Sequence, residues 1–318
     1  MYGVYRMFRK KSLQLLLLFA ALATTNCFSP GQKYVYGQPF HKPIPLEEGE
    51  PQFESGRPNW FIDGLGHYFF SLPSKLLLWN RKMNNHRISE ETKNYLKKYI
   101  KENNLTDVKV RFNQYAPGAE WKRLRKNKNV HWAARYTIGV LSWLMYTILP
   151  DRLFAGFLGG DHYNPYTNTI NIYSDLPAVA IHEGGHAKDA AMRKNKTSYA
   201  LVRAIPLVPL YQEARASEDA HKYIKKEKDK KTEMDAHKQL SPAYGTYVGG
   251  EFSAYADPST SMAIYLAGVI PGHIYGRYRA WKLKKKYERE EREKLRQNEN
   301  STESADIKSP ADKTDTAG

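Results

Sequence analysis

Cysteine is almost missing from this chain: of its 318 residues only Cys27 carries a thiol. No internal disulfide framework is therefore available. Long apolar runs are also missing. The longest candidates (13–23, 136–149 and 262–274) fall short of the roughly 20 residues that a spanning helix needs. No internal repeat is evident, so the length fits one large domain or two small ones. Acidic residues are outnumbered, 33 against 49 lysines and arginines, for a formal charge of +16. Excess charge of this kind raises the question of nucleic acid. The basic run 123–128 has Trp121 and Trp132 nearby, but no nucleic-acid-binding motif accompanies it. A solvated face, or one drawn to anionic head groups, is the better use. No nucleic-acid partner is expected.

Hydrophobic residues make up 41% of the chain, enough for a core, and 23 tyrosines dominate the aromatics. The start has a leader's grammar. Arg6, Arg9, Lys10 and Lys11 precede the apolar stretch 13–23, and Cys27 follows directly. A lone cysteine after a basic and then apolar segment resembles the lipobox of a bacterial lipoprotein, with Asn26 where Gly, Ala or Ser is usual. The resemblance implies that 1–26 is a signal peptide, that Cys27 carries lipid as the mature N-terminus, and that the body is exported. It would be anchored to a bacterial envelope membrane, facing the periplasm. Proline-rich 27–60 reads as a flexible tether, and 61–285 as the folded domain. Residues 286–318 read as a charged helix end and a disordered tail.

The chemistry concentrates at Ile181-His182-Glu183-Gly184-Gly185-His186-Ala187. On a helix, a spacing of four puts His182 and His186 on one face. Two neutral imidazoles so placed can hold Zn²⁺ at about 2.0–2.1 Å, leaving positions for a third ligand and a water. Glu183 is then placed to take a proton from that water as it attacks a carbonyl. Upstream, 167–173 alternates like a half-buried strand, with Ser174 and Asp175 as cap residues and Pro177 in the first helical turn. The segment 108–112 alternates likewise and could pair with it, giving a small sheet beside the metal helix. Ser89 starts another helix, whose stripe is Leu96, Tyr99 and Ile100 and which Asn103-Asn104 ends.

Downstream, Glu213, Ala216, Ser217 and Ala220 fall at i, i+3, i+4 and i+7, a stripe of small side chains headed by a carboxylate. Small residues allow close approach, which could bring Glu213 to the metal. Glu218, Asp219 and His221 are alternative ligands on other parts of this helix, His221 being the nearest competitor. Asp189, three residues beyond His186, is either a carboxylate that orients a ligand histidine or an i,i+4 partner of Arg193. Tyr244, Tyr247, Tyr255 and His273 are undistinguished donors for a developing oxyanion. Gly268, Gly272 and Gly276, with Gly245 and Gly249, suit two tightly packed helices better than a membrane pair.

HExxH followed by E-x-x-A-[DS]-x-x-A resembles the gluzincin metallopeptidases, the CAAX prenyl protease and bacterial envelope branch in particular, over residues 167–220. The resemblance implies His182, His186 and Glu213 as zinc ligands and Glu183 as the catalytic carboxylate. Ser217 stands where that branch usually has Asp. It further implies an α+β, mainly helical zincin-like domain that hydrolyses peptide bonds of protein or peptide substrates by zinc-activated water. The competing reading is a non-enzymatic envelope lipoprotein in which the metal is structural. For the leader, metabolic labelling with a fatty acid is expected to tag the wild type and not Cys27→Ser; equal labelling of both would contradict lipidation at that thiol.

Overall fold

The computed structural model of the chain describes residues 33–39, 46–148, 151–154 and 160–307. Cys27 and the leader lie outside the described residues. The protein is mainly helical with one small mixed sheet. In chain order the main elements are strand β1 (Phe53–Ser55), helix α1 (Glu90–Glu102), β2 (Lys109–Phe112), α2 (Pro117–Lys126), β3 (His162–Asn164) and β4 (Thr169–Ile172). Then come α3 (Pro177–Ala191), α4 (Val208–Glu227), α5 (Lys230–Ser253) and α6 (Pro258–Ile307).

The two alternating segments do pair: β2 lies parallel to β4, Val110 opposite Ile170 and Phe112 opposite Ile172. β1 joins the outer edge of β2 in parallel, and β3 returns antiparallel on β4, for an order β1-β2-β4-β3. The strands are not half-buried, as alternation suggests, but buried on both faces. Val110, Phe112, Ile170 and Ile172 enter the main core with Leu96, Tyr99 and Ile100 of α1. The opposite face is closed by charge pairing. Arg111 bonds Glu120 of α2 at 2.8 Å, Lys109 reaches Glu54 at 2.7 Å, and Thr169 donates to Glu120 at 3.1 Å. Buried charges persist only when paired in this way.

Ser89 caps α1 through Thr92 N, as its sequence suggests. Ser174 and Asp175 do not cap α3. Its N-cap is Leu176, without a side-chain bond, and Pro177 takes the first turn, where its missing N–H costs least. Asp175 is turned outward by tertiary partners: it accepts from Ser89 N at 3.0 Å, Thr92 Oγ1 at 2.7 Å and Lys82 Nζ at 3.0 Å. α3 is buried from Ala178 to Ala190, as a helix surrounded on all sides must be.

Three boundaries need correction. The expected tether 27–60 contains β1, and Tyr34 is held on the back of α3. Lys188 Nζ lies 4.1 Å from the Tyr34 ring centre and donates to its hydroxyl at 3.0 Å; that hydroxyl donates to Asn103 at 2.8 Å. Prolines suggested a free tether, but the part-buried Tyr34 fixes it. The run 136–149, whose fourteen residues suggest a single buried or interfacial helix, is divided in its described part into Ile138–Trp143 and a wider-turned Leu144–Ile148. The expected disordered tail is helical as far as Ile307, within α6, and residues 308–318 lie outside the described residues.

α5 and α6 form an antiparallel hairpin in which glycine meets backbone. A Cβ on Gly268 would stand 2.5 Å from Gly245 O and 2.7 Å from Gly249 N, whereas one on Gly250 would meet nothing within 4 Å. Gly268→Ala is therefore expected to lose roughly 1–3 kcal/mol in chemical denaturation, as overpacking does. Gly250→Ala should match or exceed the wild type, since alanine is the better helix former by about 1 kcal/mol. Equal stability of the two variants would contradict this packing.

Candidate metal centre

α3 and α4 touch where α3 has no side chain and α4 has only a methyl group. A Cβ on Gly185 would sit 3.0 Å from Ala216 O and 3.1 Å from Ala216 Cα. On the other side, a Cβ on Gly184 would come within 2.7 Å of the Tyr99 ring. Two of the three residues between the histidines, Gly184 and Gly185, are thus glycines because α1 and α4 press on them. That approach carries Glu213, one turn before Ala216 on α4, to the histidines.

Glu213 Oε2 lies 3.0 Å from His182 Nε2 and 3.2 Å from His186 Nε2, all three side chains being buried. The candidate ligand atoms fall within 4.8 Å of one another, and no other such His/Cys/Asp/Glu group occurs among the described residues. Ligands about 2.0–2.1 Å from a tetrahedral ion stand about 3.3 Å apart, so the Nε2–Oε2 separations fit a shared Zn²⁺. The electrostatics agree. Burial pushes the Glu213 carboxyl up, but His186 and His182 outweigh it and hold it well below the usual carboxylate range. Burial pushes the His182 imidazole down, while the Glu213 hydrogen bond and the charges of Glu183 and Glu213 raise it above its ordinary value. Three atoms this close, two of them imidazole nitrogens, favour a cation between them.

Ser217, one turn beyond Glu213, places Oγ 3.2 Å from His182 Nδ1. Were Nε2 to hold a metal, Nδ1–H would donate to that hydroxyl and fix the ring. Of the two readings of Asp189, the structure has the i,i+4 ion pair: it lies 2.8 Å from Arg193, and 3.4 Å from Arg215 of α4. His221 is buried a turn further along α4, its ring stacked at 4.2 Å on His237, outside the ligand cluster. Glu218 pairs with Lys222, and Asp219 with Lys188 on the far side of α3.

Two further residues enter the site. Arg203 Nη2 stands 3.3 Å from Glu213 Oε1, the oxygen turned away from the histidines. It is the sole cation between Lys196 and Arg215, a signal too slight to place it. Tyr247 of α5 lies in the field of the same carboxylates. The charge of Glu213, then burial, then Glu183 hold its phenol well above the ordinary range, so it stays protonated. Both Glu213 and Glu183 are among its charged neighbours, whereas His273 bonds Leu77 O at 2.8 Å. Glu183 is buried beside His182 and also faces Asp161, whose carboxyl burial pushes up to about 6.

No family model, no curated protein and no solved structure matches the chain. The ligand assignment is checked by zinc content. Glu213→Ala is expected to weaken zinc binding by more than the 10–100-fold typical of losing an orienting partner alone, with His221→Ala close to wild type. The reverse result would transfer the ligand to His221.

Proposed function

We propose that the protein is a zinc-dependent peptidase of gluzincin type, with a zincin-like domain held at a bacterial envelope membrane by lipid on Cys27. The observation that carries this reading is one carboxylate oxygen of Glu213 within 3.2 Å of the Nε2 atoms of both His182 and His186, with Glu183 buried next to the first. His182, His186 and Glu213 would hold the ion. Bound there, Zn²⁺ supplies Lewis acidity to a water and to a substrate carbonyl.

The chain's own groups have separable tasks. Glu183 accepts the proton that the attacking water sheds and passes it to the departing amine. Ser217 keeps His182 in the tautomer whose Nε2 lone pair is free. Arg203 engages the second oxygen of Glu213, so that the first remains aimed at the histidines. Tyr247, held protonated, donates a hydrogen bond to the oxygen on which charge develops, a contribution of the kind often worth about 3–4 kcal/mol. A purely structural ion has no use for Glu183, which is why the arrangement supports an enzyme over a scaffold.

Glu183→Gln separates the two. The variant is expected to keep its zinc and to lose cleavage of a peptide library by about 10²–10⁴-fold, the usual weight of a positioned base. Chelator should abolish the wild-type activity. Cleavage by Glu183→Gln at the wild-type rate would overturn the mechanism.

A further inference from the structure

α6 is apolar around its whole circumference where it meets α5, yet only one side of it is covered. Gly268, Gly272 and Gly276 face α5 so closely that a Cβ on Gly272 would lie 2.6 Å from Ser241 O. Two residues from each glycine, roughly 200° around the helix, stand Leu266, Ile270, Ile274 and Tyr278. These four are exposed, as are Met262 and Trp281 at the ends of the same stripe; Ile270 and Ile274 are 56% and 67% exposed. Glycine edge and apolar stripe both advance by four residues, so they stay opposite each other along the glycine edge, about 12 Å, within a stripe of about 28 Å. A soluble surface helix puts polar side chains there. An apolar strip of this length marks an interaction surface.

The surface continues onto the neighbouring helix Leu72–Leu78, which docks on α6 through Leu77 O and His273 Nε2 at 2.8 Å. The Trp79 ring stacks on His273 at 4.2 Å and carries the Arg277 guanidinium at 4.4 Å. Leu72, Leu76 and Trp79 turn their exposed sides outward. Charge identifies what this face meets. From 258 to 287 there is no acidic residue, while Arg277, Arg279, Lys282, Lys284, Lys285 and Lys286 follow the apolar stretch directly. The ion pairs from Lys284, Lys285 and Lys286 to Glu288 and Glu290 are exposed and long, 3.6–3.8 Å, and such pairs are weak. A second copy of this face would add cations and no anion. No helix among the described residues is long and apolar enough to cross a membrane. Apolar side chains bounded by Tyr278 and Trp281 and then by lysines are the pattern of a helix lying in the interface plane.

We infer that the Met262–Trp281 stripe of α6, with Leu72, Leu76 and Trp79, is a docking surface for an anionic lipid bilayer, a second attachment independent of Cys27. α5 separates this face from the metal centre: Gly245 and Gly249 pack on α6, and Tyr247 between them lies in the field of Glu213 and Glu183. The centre is thus one helix from the lipid. In a consequence that alone rests on the peptidase reading, the bonds it cleaves lie in peptide segments close to the bilayer surface.

The surface is tested without reference to catalysis. Full-length Cys27→Ser protein would carry a single nitroxide-labelled cysteine at Ile270, at Ile274 or, as a polar control on the same helix, at Glu291. Each would be mixed with vesicles of phosphatidylglycerol and phosphatidylcholine or of phosphatidylcholine alone, with and without chelator. With anionic vesicles, labels at 270 and 274 should gain access to oxygen and lose access to a nickel complex several-fold. The label at 291 should remain open to nickel, and chelator should change nothing. Labels at 270 and 274 as open to nickel as in buffer would overturn the inference. Shielding already present in vesicle-free buffer would also overturn it, by showing that a second copy or another part of the chain covers the face. Equal shielding by neutral vesicles would overturn the anionic assignment.

Discussion

The centre depends on how near α3 and α4 can come. With glycine at 185 and alanine at 216, backbone meets backbone, and a carboxylate one turn up α4 reaches a point between two imidazoles one turn apart on α3. Any side chain between them would hold Glu213 away by about its own width. Glutamate has just enough length for this. Its chain spans from the α4 surface to the Nε2 atoms, and its second oxygen is left to Arg203. The small stripe on α4 and the glycine pair in HEGGH are therefore two halves of one contact.

What keeps α3 rigid enough for that contact is its complete enclosure. The sheet lies under its N-terminal half, α1 presses Tyr99 against Gly184, and Lys188 on the back is tied to Asp219 of α4 and to Tyr34. Lys188 is buried, and burial lowers its pKa despite the opposing charge of Asp219. Tyr34 and Asp219 are the partners that make a lysine tolerable there. The N-terminal segment is thus part of the wall behind α3, and the expected lipid on Cys27 would be joined to that wall by few residues.

Much of this was legible locally. The spacing of His182 and His186, the alternation of 108–112 and 167–173, the Ser89 cap and the small stripe below Glu213 each follow from short-range periodicity. The structure has each of these elements where that periodicity suggests, although the two strands are buried on both faces. What failed depended on partners distant in sequence. Asp175 looked like a cap for its own helix and serves Ser89 and Thr92 instead, which together bring it two hydroxyls and a backbone N–H. The strands looked half-buried because Lys109 and Arg111 are charged, and nothing nearby announces that Glu54 and Glu120 will neutralise them. Asp189 had the right spacing to reach a histidine, but Arg193 and Arg215 hold it; the shorter Ser217, facing His182 from the opposite helix, takes that place. Arg203 and Tyr247 carry no local signal, since only folding brings α5 and the turn before α4 to the same carboxylates.

X-ray absorption at the zinc edge on the purified full-length protein tests the central claim most directly. The account predicts one zinc per chain with a first shell of nitrogen and oxygen alone at about 2.0–2.2 Å, and outer-shell scattering from two imidazoles that falls to one in His186→Ala. A protein that retains no zinc, or one whose spectrum requires three imidazoles, would contradict a centre built from His182, His186 and Glu213.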